Sequence, residues 1–200
     1  MSPRPPMPKL MAYIARDRPY AVIVRRGPSN QTCTYGWDLL TDEITLGQWF
    51  KGRIYETRCD ISPDGRFFLY FAASFRPPFY TWTAISHTPW LAALDLHPGF
   101  GTWGGGGQFI DSRTYWTRDG RQSGTKLTSG LELVEPEPFK KGFESASGGT
   151  YHLVLWKQGW RPDIHLSDQD HTRRLSVTHS TGSRLSIVLG RYSYQDKYQP

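Results

Sequence analysis

The sequence predicts an all-β protein built of antiparallel hairpins, with little helix. Three observations carry that expectation. Short runs of β-branched, aromatic and apolar residues recur at roughly the 8–12 residue spacing typical of sandwiches, barrels and propellers. Twenty glycines and fifteen prolines in 200 residues are scattered between those runs as turn punctuation. No amphipathic pattern of helical period continues beyond about ten residues.

Residues 1–18 hold four prolines (Pro3, Pro5, Pro6 and Pro8) and several basic residues. They are expected to form an extended, partly polyproline-like arm. A single β-rich domain is expected over 19–194, followed by a short tail at 195–200. Residues 20–26, YAVIVRR, open the domain as a strand that Gly27-Pro28-Ser29-Asn30 stops. TCTYGWDL at 32–39 alternates, turns near Thr41-Asp42, and continues into a second strand through Phe50, a hairpin pattern. RIYETRCDI at 53–61 is strand-like. Ser62-Pro63-Asp64-Gly65 then turns the chain, because Pro63 presets φ and Asp64-Gly65 tolerates φ > 0. RFFLYFAAS at 66–74 and TWTAIS at 81–86 follow as strands. PWLAALDL at 89–96 fits a strand or a short helix equally well by pattern. Two short strands are expected around Ser112, then a turn at Asp119-Gly120 and a short strand ending before Pro136. Residues 150–160 form a further strand, and 173–180 pair with 183–194 as a hairpin.

CDISPDGRFFLYFAA, residues 59–73, resembles the blade repeat of TolB-like β-propellers, where such a turn precedes an apolar strand. Trp37-Asp38, ending a strand before a turn, is similar to the hairpin of WD-type blades, and YWTRDGRQ at 115–122 echoes it. The resemblance spans about half the chain. The turns keep no constant step, and a closed multi-blade ring needs more chain than this. It therefore implies a divergent or incomplete propeller, propeller-like in its hairpins, serving as a binding platform rather than a reaction.

Composition bounds the function. The formal charge of +6 and pI near 9.4 suit nucleic acid, anionic membrane or acidic protein, yet the basic residues are interspersed with acids, as on an ordinary solubilising surface. The two cysteines, Cys33 and Cys59, form no C-x-x-C. Cys59, inside a strand, is expected to be a buried structural thiol. No h-region opens the chain and no run reaches the roughly 18–20 apolar residues of a membrane helix. A soluble, cytoplasmic protein with no membrane insertion is expected.

The Thr102-to-Phe109 stretch, TWGGGGQF, lacks the Lys-Ser/Thr and following helix of a phosphate loop. Its glycines are expected at a strand start, close against a neighbour, with at least one at φ > 0, and with Trp103 and Phe109 buried at either end. The cluster over residues 163–171 (Asp163, His165, Asp168, Asp170, His171) fits no standard metal-binding order and reads as a solvated turn; no metal or cofactor is expected. There is no G-x-S-x-G elbow. Asp38, Glu56, Asp60 and Asp95 are candidate acids for a small propeller-type hydrolase. Arg25, Arg26, Lys51, Arg53 and Arg58, interleaved with Trp49, Phe50 and Tyr55, supply the cations and stacking rings of a nucleic-acid binder. Phe79, Trp82, His87, Trp90 and Trp103 supply large rigid contact area next to Pro77-Pro78 and the glycine run, although at least half of the group from Trp82 to Trp103 is expected to be buried. The leading expectation is a non-enzymatic interaction module that holds another protein through this aromatic, loop-rich face. Nucleic-acid binding and hydrolysis are the alternatives.

Overall fold

A computed structural model describes residues 7–27, 31–99, 101–120 and 123–135, together with the backbone of strands at 160–163, 172–179 and 184–191. The described residues are all-β apart from a single 3-10 turn, with sheets that are antiparallel except at one pairing. No closed barrel or propeller ring forms among them. The chain divides into two compact units, residues 1–144 and 145–200, a division that falls inside the 19–194 span expected as one domain.

The first unit opens with a four-stranded meander: β1 (Lys9–Ile14), β2 (Tyr20–Arg26), β3 (Gln31–Asp38) and β4 (Ile44–Lys51), neighbours in that order. β1 lies within the segment expected to be an arm. Its residues run antiparallel to β2 from Lys9 opposite Arg26 to Ile14 opposite Ala21, so its backbone is held by the sheet. The prolines before it hid a short alternating run, KLMAYI. The β3–β4 turn forms where Trp37-Asp38 suggested. Asp38 accepts from the amides of Leu40 (2.9 Å) and Thr41 (3.2 Å), and the Trp37 indole donates to Asp42 (2.7 Å), which sits at φ +60°.

The second sheet contains β5 (Arg53–Ile54), β6 (Asp60–Ile61), β7 (Phe67–Ala73), β8 (Thr81–His87) and β9 (Ala93–Gly99). The single strand expected over 53–61 is broken in two. Ile54 faces Ala72 while Asp60 faces Leu69, so six steps on one side span three on the other. The surplus residues are taken up by the 3-10 turn Glu56–Arg58. The Ser62–Gly65 turn then feeds β7. The Ser62 hydroxyl oxygen accepts from Phe67 N (2.9 Å) and Arg66 N (3.1 Å), and Gly65 takes φ +72°. The ambiguous run at 89–96 resolves as the approach to β9, a strand.

The third sheet joins β10 (Gly107–Phe109), β11 (Thr114–Thr117) and β12 (Glu132–Leu133); β10 and β11 are antiparallel, but β11 and β12 run parallel. In the second unit, β13 (Trp160–Asp163), β14 (Thr172–His179) and β15 (Arg184–Arg191) form an antiparallel sheet, with β14 and β15 paired as the expected hairpin. The strand expected over 150–160 lies outside the described residues except at Trp160, as does the tail at 195–200.

Every residue of β7 is buried. Because side chains alternate, Phe68, Tyr70 and Ala72 pack with Val22, Val24 and Ile54, while Phe67 and Leu69 pack with Ile85, Phe109 and Tyr115. The first sheet and the third thus pack on opposite faces of one central strand, β7. Tyr13, Cys59 and Tyr70 contribute to the first core. The Tyr70 hydroxyl donates to Leu91 O (2.6 Å), and that of Tyr13 to Glu56 O. Burial pushes the Cys59 thiol up to about 12 and holds both phenols above the ordinary tyrosine range.

These shifts define an alkaline limit to stability. Unfolded thiols and phenols ionise near pH 8.5 and 10. Groups whose folded values lie higher give their full stabilisation below those pH values and lose it as pH rises past them, by about 1.4 kcal/mol per group and pH unit. Tyr13 and Tyr70 are expected to ionise only together with unfolding when phenolate absorbance and circular dichroism are followed in one alkaline titration. Ionisation of all eleven tyrosines near pH 10 in a still-folded chain would contradict this assignment.

Candidate functional site

A groove of about 290 Å³ lies in the first unit between β4, the 74–79 loop and the β8–β9 surface. Its walls include Trp49, Phe50, Pro77, Pro78, Phe79 and Trp82. Phe50 and Trp82 meet edge-on, with ring centroids 5.7 Å apart at 84°. Gln48 and Leu91 close one side: the Gln48 side-chain oxygen accepts from Leu91 N (2.9 Å), and the Thr34 hydroxyl donates to Pro89 O (2.6 Å). The crossing is tight at Gly47, where a Cβ would lie 2.6 Å from Pro89 O. The loop wall is held by Ser74, whose hydroxyl donates to Phe79 O (3.2 Å) and accepts from Arg76 N (3.2 Å). The peptide bonds Pro77–Pro78 and Thr88–Pro89 are cis. Such a groove can hold an apolar chain; among its walls Gln48 and Ser74 are the polar side chains with hydrogen-bonding groups besides the Tyr70 hydroxyl and the Trp indoles.

Of the five residues expected to bind a partner, Phe79 and Trp82 share this groove. His87, Trp90 and Trp103 are not among its walls. His87 is exposed and stacks on Phe67, centroids 5.0 Å apart. Trp90 is 48% exposed and Trp103 91%. The expected burial of at least half of the Trp82–Trp103 group does not occur: Trp82 is half-buried against the first core, and the other three are exposed. Phenylalanine and tyrosine fill the cores instead. Trp49 and Phe50, which the sequence suggests only as stacking rings beside arginines, belong to the groove. Its full lining gathers residues from 48 to 96, a spread that no local pattern exposes.

The nucleic-acid candidates are dispersed. Arg25 lies over the Trp49 ring (5.9 Å) and Arg53 over Tyr55 (4.5 Å). Lys51 is exposed. Arg26 pairs with Glu56 at 3.0 Å. Tyr55 packs on Phe71, centroids 5.1 Å apart. Arg58 turns inward and donates to the carbonyls of Thr102 (2.7 Å) and Gly104. Burial lowers its guanidinium's proton affinity, and Arg118 adds to the effect.

The carboxylates hold structure. Asp38 caps its turn, and the amides of Leu40 and Thr41 hold its carboxyl below the usual range. Asp60 accepts from Phe109 N (2.9 Å). Asp95, fully buried, accepts from the amides of Thr128 (2.7 Å) and Ser129 (2.8 Å), the Ser129 hydroxyl (2.5 Å) and the Tyr115 hydroxyl (2.9 Å). Tyr115 in turn meets His97 Nε2 at 3.0 Å, and His97 Nδ1 meets Gly120 O at 2.8 Å. Nearby, Thr83 donates to Asp119 (2.7 Å) and accepts from Gly106 N (2.8 Å). Burial raises the Asp119 carboxyl, against the opposing pull of Thr83 and His97. This constellation, spread from Thr83 to Ser129, was not visible in the sequence beyond Asp95 itself. It satisfies polar groups inside the second layer. Cys33 and Cys59 are both free thiols and both buried. No three metal-ligating side chains gather among the described residues; of the 163–171 cluster, only the backbone of Asp163 is described. No described helix is long and apolar enough to cross a membrane.

Comparisons with protein-family models, with curated proteins and with solved structures found no match to this chain.

The glycine run does lie at a strand start, with Gly105 at φ +81° and Gly106 at φ +86° before β10. Phe109 is buried as expected; Trp103 is not, because the chain reaches the interior only after it. A Cβ on Gly105 would stand 1.9 Å from the Phe71 ring, and one on Gly106 2.8 Å from Arg58 O. Gly105→Ala is therefore expected to cost about 2–4 kcal/mol in denaturant unfolding, from overpacking plus the left-handed backbone. Gly130→Ala, at φ +76° in open space, isolates the backbone part at about 1 kcal/mol. Equal losses in the two variants would remove the packing role of Phe71.

Proposed function

We propose that the protein is a non-enzymatic interaction module of propeller-like hairpin architecture that holds another protein through its loop-and-aromatic surface. The groove between β4 and the 74–79 loop carries this reading. It joins five aromatic residues and two prolines around an apolar cavity, the kind of surface that anchors protein interfaces at low entropic cost. Exposed Tyr80, Phe75 and Trp90 border the same segments. The four-stranded first meander and the Ser62–Gly65 turn support the propeller-like reading. The candidate acids Asp38, Glu56, Asp60 and Asp95 each hold a turn, an arginine or a backbone amide, which favours binding over hydrolysis.

A second reading, nucleic-acid binding, has the stacked pairs Arg25–Trp49 and Arg53–Tyr55 in its favour.

Affinity capture from native lysate, with and without nuclease, separates the two. The wild-type chain is expected to retain a protein that nuclease does not release. Phe79→Ala is expected to lose it with unchanged circular dichroism. Release by nuclease would transfer the assignment to nucleic acid. An empty capture, or equal capture by the variant, would reject the groove as the binding surface.

A further inference from the structure

Among the described residues, no strand pairs with the edge of β4 beside the groove. In the order β1-β2-β3-β4, β4 has a described neighbour on one side only. Backbone groups in an antiparallel pair point alternately toward and away from the partner. Gly27 N donates to Gln31 O, so Gln31, and with it Cys33, Tyr35 and Trp37, direct their backbone groups to β2. Their opposites on β4 are Lys51, Trp49, Leu46 and Ile44, whose N–H and C=O groups consequently point outward from the sheet. Ile44, Leu46 and Trp49, which carry these outward groups, are themselves between 51% and 58% exposed. An extended peptide laid along it would drop alternate side chains toward the groove, against Phe79 and Trp82, and turn the others toward Leu46 and Trp49.

Charge selects the peptide. Among residues adjacent in sequence to the groove's walls, the charged ones are Lys51, Arg76 and Asp95. Asp95 is buried and fully engaged in its own hydrogen bonds, which leaves two exposed cations at the groove, while the exposed acids Asp42 and Glu43 flank the far, Ile44 end of the row. Lys126, bridged to the groove residue Leu96, adds a third exposed cation.

We propose that β4 and the groove bind an extended, acidic segment of a partner protein by strand addition, with apolar residues of that segment alternating into the groove. This rests on the groove as the binding surface and adds the mode and the partner's chemistry.

The test uses the full chain and two fluorescein-labelled peptides, identical in their alternating valines and phenylalanines, one with glutamates and one with lysines between them. In fluorescence anisotropy the glutamate peptide is expected to bind at least about tenfold more tightly than the lysine twin, and more weakly as salt rises. Leu46→Pro removes an outward N–H without touching the β3 ladder; it is expected to weaken glutamate-peptide binding about tenfold or more. Should that variant fail to fold, the exposed pair Lys51→Glu and Arg76→Glu provides the independent check, by reversing the peptide preference. Equal binding of the two peptides, wild-type affinity in a folded Leu46→Pro, or displacement of the probe by a single-stranded oligonucleotide overturns the proposal. If Phe79→Ala loses the captured partner while folded Leu46→Pro keeps it, strand addition fails and the groove stands. If Phe79→Ala also keeps the partner, both fail.

Discussion

The burial of β7 on both faces is the constraint from which the first unit follows. A strand reading FFLYFAA has no side to offer water, so it must have a layer above and a layer below. The N-terminal meander covers one face through Val22, Val24 and Tyr13, and the short third sheet covers the other through Phe109 and Tyr115. The features around it are adjustments to this sandwiching. The broken strand β5/β6 stays paired along one edge of β7 on both sides of its break, and the 3-10 turn carries the surplus residues out of the ladder. The glycine run lets the chain approach the ring of Phe71. The hydrogen-bonded set from Asp95 to Asp119 lets polar residues on β8 and β9 lie under the third sheet without unpaired groups.

The same layering accounts for the surface. The inward residues of the first meander, Tyr13, Tyr20, Val22, Val24 and Phe50, are used by the first core. By register its other face collects Leu10, Ile14, Ile23, Tyr35, Trp37, Ile44 and Leu46, apolar residues without a described layer over them. Apolar groups therefore gather on this meander's outer face. The second layer's chemistry, richer in titratable groups, is sealed inside.

Much of the fold was legible where local physics decides it. The Ser62–Gly65 turn, the Trp37-Asp38 hairpin and the all-β character rest on contacts within a few residues, and short-range pattern captures these. β1 was missed because four closely spaced prolines dominated a weak alternation. The break at Glu56–Arg58 was missed because Tyr55 and Cys59 continue a strand-like texture; only register against β7 shows the surplus. The candidate site was half legible. Phe79 and Trp82 stand out as large aromatics beside prolines, whereas their companionship with Trp49 and Phe50 depends on how two sheets meet. Trp103 illustrates the opposite error: a large ring suggests burial, but nothing local says on which side of the entry point it falls.

The double clamp on the glycine run has a kinetic corollary. Arg58 reaches carbonyls 44 and 46 residues further along the chain, and Phe71 stands opposite Gly105. Four consecutive glycines lose more backbone freedom on ordering than any other residues would. Nothing local rewards that ordering until the β7 hairpins have already set Arg58 and Phe71 in place. The glycine run is thus expected to order after β7 and β8, an order that amide exchange would report as earlier protection in β7 and β8 than in β10. Maturation of this fold would proceed outward from its most apolar strand, leaving its most flexible sequence to close the interior.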